Sequence, residues 1–409
     1  MSARLRYAAV LGTPGVPRLV VTALIARAPI AVNGLALVLF FRAQSGSYAI
    51  AGAVAAFYAL GAALVAPVMG RLVDRLGAPR VLVPLALAHG ALLGALVGLG
   101  LAGAPQTLDY AVAVLAGSAI PPAGSVLRAL WPSLMDGRPE ILTAAYALDA
   151  VLLEVAFVAG PLVVAVVATT LSPQAAVVAS IVLVVTGTAL FSANRAVRAY
   201  QPAQEHADDT GGRLGALRSP GVRTIALMQL PIGFCIGAAE VAFPAFCEDV
   251  IGNRAAAGPL IALWSLGSAV GGLVYGAHGH RVSADHAFLR TAALLPLVTV
   301  PLALPSSFAA MVPLAILSGL AIAPIIASAS QVVGQVAPQG ALTEAYTWPT
   351  TALVGGVAFG NAASGAIVQS AGWREAFVAA AIVGALGAVI GVARRASLRA
   401  AVPASVPGG

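Results

Sequence analysis

Residues 70–80 read GRLVDRLGAPR, with three arginines and one aspartate in eleven positions. Long runs with almost no charge flank them. Across the 409 residues, 60% are hydrophobic and 9% charged, with a mean hydropathy of +0.94. Water-soluble domains carry roughly 25% charged residues. The charge present cannot cover a body of this size in water, so lipid is the solvent for most of its surface. The charged turn is then a place where the chain leaves the bilayer.

Apolar stretches fall at 19–41, 48–69, 81–102, 110–130, 143–170, 174–194, 224–247, 255–276, 287–305, 308–330, 343–368 and 375–393. Each is near the ~20 residues that a helix needs to cross ~30 Å of hydrocarbon. We number them spans one to twelve. They are continuously apolar and do not alternate, which selects helices over a β-barrel. The expected fold is an all-α membrane protein of twelve transmembrane helices in two pseudo-symmetric six-helix bundles. The first run is too long for the core of a signal peptide and lacks a clear cleavage site.

All 22 basic residues are arginine. Without lysine, neither a Walker A phosphate loop nor a pyridoxal Schiff base can form, and ATP-driven pumping within this chain is excluded. With the N-terminus inside, 18 of the 22 arginines fall on the cytoplasmic side; Arg42, Arg254 and Arg374 fall outside, and Arg27 lies within span one. This positive-inside bias places both termini in the cytoplasm and explains the net charge of +7 without a nucleic-acid partner. The residue usage also fits a high-GC bacterial genome, hence a bacterial plasma membrane.

The stretch 195–223 holds five arginines, an acidic cluster and a Gly-Gly pair, and reads as a linker. The domains are then 1–194, a first six-helix bundle, and 224–409, a second. The halves echo each other. Gly70 and Arg75 recur as Gly276 and Arg281; AAY at 144–146 recurs as EAY at 344–346; Gly160 recurs as Gly360; AIPP at 119–122 has a weaker echo in AIAP at 321–324. Parallel repeats of this kind place a substrate site near the midplane, between the halves.

The opening stretch, in this setting, resembles the loop motif of the major facilitator superfamily, G-x-L-x-D-R-x-G-R-[RK]-x-x-L, and the resemblance covers essentially the whole chain. Gly70, Leu72, Asp74, Arg75, Gly77 and Leu82 match; Ala78 and Pro79 replace the basic pair. GAHGHR at 276–281 is the degenerate second copy. The resemblance implies that Asp74 locks one conformation by approaching the positive N-terminal end of span eleven. Glu344 lies close to that end and counts against the carry-over. Gly160 and Pro161 in span five resemble the start of an antiporter pattern, G-P-x-x-G-G, and imply export; Leu162 to Ala165 lack its trailing glycines.

Ionisable residues inside the membrane are costly and mark function. At ~1.5 Å per residue, Arg27 lies roughly 12 Å into span one, Asp149 about 9 Å and Glu154 about 16 Å into span five, and Glu240 about 24 Å along span seven. The family architecture makes spans one and five neighbours, so Arg27 pairs with Asp149 or with Glu154. These two point about 140° apart on the helix wheel, so it does not pair equally with both. Glu154, Glu240 and Asp149 are the proton-coupling candidates. Asn33 is a polar cavity contact, Trp348 and Tyr346 stack on substrate or anchor at the interface, Arg128 snorkels to the cytoplasmic rim, and His89 takes no role. No metal or cofactor is expected: the histidines are scattered, and Cys235 and Cys247 lack a ligand spacing.

The expected function is therefore proton-coupled export of a small amphipathic or drug-like molecule by alternating access, by a monomer. Sugar or metabolite transport is the alternative, and a membrane sensor a weaker one. An enzyme is not expected, because no catalytic cluster occurs.

Overall fold

The computed structural model describes residues 3–136, 138–200, 215–253, 256–278 and 281–399. It holds twelve helices long and apolar enough to cross a membrane. They are Val16–Ser45, Ile50–Leu76, Ala78–Ala102, Gln106–Leu134, Pro139–Thr170 and Pro173–Ser192 in one bundle. Pro220–Ile251, Ala257–His278, Ala284–Ala303, Phe308–Val336, Leu342–Ser370 and Trp373–Ala393 form the other. Each overlaps one of the expected spans; those expected at 48–69, 174–194, 255–276 and 287–305 overrun the helix by two residues at one end. A short N-terminal helix, Ala3–Gly12, precedes them. Residues 201–214 of the expected linker lie outside the described residues.

Two spans are interrupted. Span four is a helix Gln106–Ser118 and a second, Ala123–Leu134. The break falls on Pro121 and Pro122, whose missing N–H groups cannot continue the ladder. Span ten breaks at the echoed position, between Phe308–Gly319 and Ile322–Val336. Gly77 joins spans two and three in a single residue at φ 84° and ψ 148°, backbone that a side chain disfavours.

Burial is distributed unevenly along the bundle axis. Near the face that carries both termini, one apolar cluster takes members from both bundles, among them Trp131, Tyr146, Ile325, Val333 and Tyr346. Toward the opposite face the core divides. Val32, Phe40 and Leu93 pack within the first bundle, and Phe243, Trp264 and Phe377 within the second. Leu64, Leu297 and Val389 are exposed at the periphery, as lipid-facing positions are. The halves are thus joined at the termini-bearing face and separately packed beyond it.

Candidate functional site

The join starts at the opening motif. The first backbone N–H groups of any helix have no partner within it. Here the carboxylate of buried Asp74 accepts two of them from span eleven, Thr343 N–H at 3.0 Å and Glu344 N–H at 2.8 Å. The Tyr200 hydroxyl donates to the same carboxylate at 3.2 Å. Burial, and next to it the Asp74 charge, raise the Tyr200 phenol above its ordinary value, which keeps it a donor. Glu344, expected to oppose Asp74, is turned away. Arg71 holds it in a two-pronged contact, Nε to Oε2 at 3.0 Å and Nη2 to Oε1 at 2.8 Å. Gly70 makes this approach possible, since a Cβ there would meet Thr347 Cγ2 at 2.9 Å and the Glu344 Cα at 3.0 Å. Arg75 is exposed.

A second seam runs between spans five and eight. A Cβ on Gly276 would meet the Tyr7 hydroxyl and, at 2.6 Å, Ala147 Cβ; one on Gly272 would meet Val151 Cγ2 at 2.8 Å. The Tyr7 hydroxyl donates to the Leu273 carbonyl at 2.8 Å, tying the N-terminal helix to span eight. Burial pushes the Tyr7 phenol up to about 12. Deeper along this seam, Ser268 of span eight donates to Glu154 at 2.8 Å and accepts from the Ala323 N–H at 3.1 Å. Gln331 of span ten ties the same two spans together, donating to Thr143 at 2.6 Å and accepting from Tyr275 at 2.7 Å. Tyr146 and Tyr346 meet hydroxyl to hydroxyl.

Above the tyrosine pair lies a cavity of about 50 Å³ between spans four, five, seven, ten and eleven. Of the two partners open to Arg27, the structure selects Asp149. Arg128 corrects its expected place. It is 7% exposed, and it donates from Nε to the other oxygen of Asp149 at 2.9 Å and from Nη1 to Thr350 at 3.3 Å. The buried carboxylate holds it inward, so it does not snorkel. Asn33 is a second correction. It lies within the first bundle, 1% exposed, where it donates to Tyr58 and accepts from Ser180. His89, given no role from sequence, completes that network. Its Nδ1 faces the Ala116 carbonyl at 2.7 Å, which leaves Nε2 to accept from Asn33 at 3.1 Å. Buried amides need such partners, and these three lie on spans two, three and six.

The remaining expected positions are dispersed. Glu240 is exposed and accepts from Asn361 at 3.2 Å. Gly160 packs span five on span one, where a Cβ would meet that of Ala31 at 3.0 Å; Pro161 lies inside the same helix. Trp348 donates to Glu344 at 3.3 Å, and so joins the first seam. Among the described residues no three His, Cys, Asp or Glu side chains are grouped to hold a metal.

Twelve helices in two related bundles with a cavity between them, among the described residues, define a secondary-transporter architecture. The Major Facilitator Superfamily model matches residues 19–295 and 225–407, and this chain belongs to that family of transporters. It is a transporter and not an enzyme. A comparison with curated protein sequences finds no match. Among solved structures, the chain resembles a bacterial homologue of the iron transporter ferroportin in an outward-facing state. The TM-score is 0.73 at 13% identity, over 93% of this chain and 99% of that one. It also resembles the human organic anion transporter MFSD10 (TETRAN), with a TM-score of 0.68 at 14% identity over 94% and 99% of the two chains. At such identities the likeness is one of fold.

Proposed function

We propose that the protein exports a small amphipathic molecule against a proton gradient, by rocking the halves 1–194 and 224–409 about the central cavity. Its setting in this reading is a bacterial plasma membrane, as a monomer with both termini and the 195–223 linker in the cytoplasm, which the arginine distribution supports. The contacts at the termini-bearing face then close the cytoplasmic gate, an arrangement read as outward-facing, the state in which the ferroportin homologue was solved. Asp74, on the first-turn amides of span eleven, acts as the latch of that gate.

One observation carries the coupling: Glu154 reaches across the halves to Ser268. No ion pair is formed by Glu154 among the described residues, whereas Asp149 is held by two arginines. A proton taken up by Glu154 removes a charge that the membrane interior penalises, and it changes the bond that spans the two moving bodies. Proton occupancy and the span-five/span-eight seam are thereby linked.

Inverted vesicles, screened with labelled compounds with and without a pH gradient, supply the transported probe. Glu154→Gln should abolish gradient-driven movement of that probe and leave its exchange measurable. An unchanged pH dependence in this variant transfers the role to Glu240 or Asp149.

A further inference from the structure

The cavity above the tyrosine pair is not electrically balanced. Arg27 and Arg128 share one carboxylate, Asp149, whose two oxygens are both taken. No other carboxylate lies within 4.0 Å of either guanidinium among the described residues; the next one along span five, Glu154, is engaged with Ser268. One positive charge is therefore left over, and Arg128 is the arginine of the pair that lines the cavity. A second lining residue is also incomplete. Gln229 is 4% exposed, and its Oε1 is buried with no hydrogen-bond partner. Buried amide oxygens are almost always paired, and an orphan is costly. The rest of the wall is largely apolar: Leu153, Ile326, Val333 and Leu353.

We propose that this cavity binds an amphipathic organic monoanion, with its carboxylate on Arg128 and a hydroxyl or N–H group donating to Gln229. The assignment rests on the alternating-access reading only in taking this cavity as the place where the transported molecule sits. Each part of the ligand answers one feature of the wall. An anion cancels the surplus charge in a medium where an uncancelled one is expensive. A donor satisfies the Gln229 oxygen. An apolar body covers Leu153, Ile326 and Val333. A cation of the same size meets the surplus charge with the wrong sign.

Four probes of similar shape separate these terms: mandelate, which has the carboxylate and the hydroxyl; phenylacetate, which lacks the hydroxyl; mandelamide, which is neutral; and benzylammonium, a cation. Binding to the full-length protein in detergent is measured by calorimetry. Mandelate should bind tightest, phenylacetate next, and the amide and the cation least. Arg128→Gln leaves Arg27 and Asp149 one to one, so no buried charge is stranded. It should weaken both carboxylates about ten- to hundredfold, the range for a hydrogen bond to a charged group. Arg128→Lys should keep the preference for mandelate over mandelamide. Gln229→Leu should weaken mandelate about three- to tenfold and leave phenylacetate unchanged. Carboxylate affinity that survives Arg128→Gln overturns the assignment, as does benzylammonium or mandelamide binding as tightly as mandelate, or no carboxylate binding at millimolar concentration. Transport separates the two readings. Mandelate that binds but is not moved by a proton gradient supports the site and counts against the coupling. Benzylammonium driven by the gradient with no carboxylate bound sinks the site and leaves the coupling standing.

Discussion

The two copies of the loop motif close the same face by different chemistry. In the first copy Gly70 admits Thr347 of span eleven; in the second, Gly276 admits Ala147 of span five, which stands 200 residues before Thr347. The packing is repeated and the fastening is not. The first seam is fastened by charge: Asp74 on two amides, and Arg71 on Glu344. Where the first copy has Asp74 the second has His280, which lies outside the described residues, and the fastening seen there is the Tyr7 hydroxyl on the Leu273 carbonyl. Glu154 sits deeper on that second seam. On the proposed reading, one seam sets how firmly the gate is shut, and the other carries the group through which a proton releases it.

Accessibility of the variant Thr350→Cys to a membrane-impermeant thiol reagent, applied from the termini-bearing side, reports how often the gate is open. The largest shift is expected from Gly70→Leu, because the Glu344 backbone and the Thr347 side chain leave no room for a Cβ. Overpacking of this kind costs about 1–3 kcal/mol, so labelling should rise by up to roughly a hundredfold. Gly276→Leu should come close to it, since behind the yielding end of the Tyr7 side chain it meets the Ala147 Cβ at 2.6 Å. Labelling that responds to one glycine and not to the other would break the comparison.

Asp74→Asn ranks next. A partly buried charge at a helix N-terminus contributes about 1–2 kcal/mol, which makes the open population about five- to thirtyfold larger. Probe affinity at the central cavity should barely change. Unaltered accessibility with reduced transport would leave Asp74 as a topological anchor alone.

Arg71→Ala should follow, with a shift of up to about fivefold, since ion pairs with a part-exposed partner are worth about 0.2–1 kcal/mol. Removing Glu344 as well should undo part of that loss, because a carboxylate without its arginine lies beside Asp74. Strictly additive effects of Arg71→Ala and Glu344→Gln would show that the pair is not coupled to the latch. Tyr7→Phe deletes one neutral hydrogen bond and should shift labelling about twofold. A shift beyond that of Asp74→Asn would reverse the ranking of the seams.

Sequence carried the spans, because a run of apolar residues the thickness of a bilayer is a local property. It also carried the approach of Asp74 to span eleven, because the motif is contiguous. Arg128 was misplaced for a definite reason. Its depth favours snorkelling, and only the fold shows that it faces Asp149, 21 residues on in the next span. Asn33, His89 and Ser180 each look like half a statement in sequence. A buried polar group announces that a partner exists without saying on which helix. Arg71 hid in the motif as one more loop arginine, and its task became visible only opposite Glu344. Gln229 and Thr350 gave no signal at all, since uncharged polar residues are common in such helices.

The meeting of Tyr146 with Tyr346 has a consequence for ancestry. These residues occupy the same place in the two repeats, 200 positions apart, and they touch each other. If the chain arose by joining two copies of a six-span unit, the ancestral contact was a residue meeting itself across a two-fold axis. In such a contact one mutation alters both sides together. Joining the copies ended that constraint, and the position two residues away shows the freedom it gave. Ala144 in the first repeat stands where the second has Glu344, the residue that Arg71 grips. Lineages of this architecture should then hold the tyrosine pair and vary at 144 and 344, with symmetry kept at the axis and lost two residues away from it.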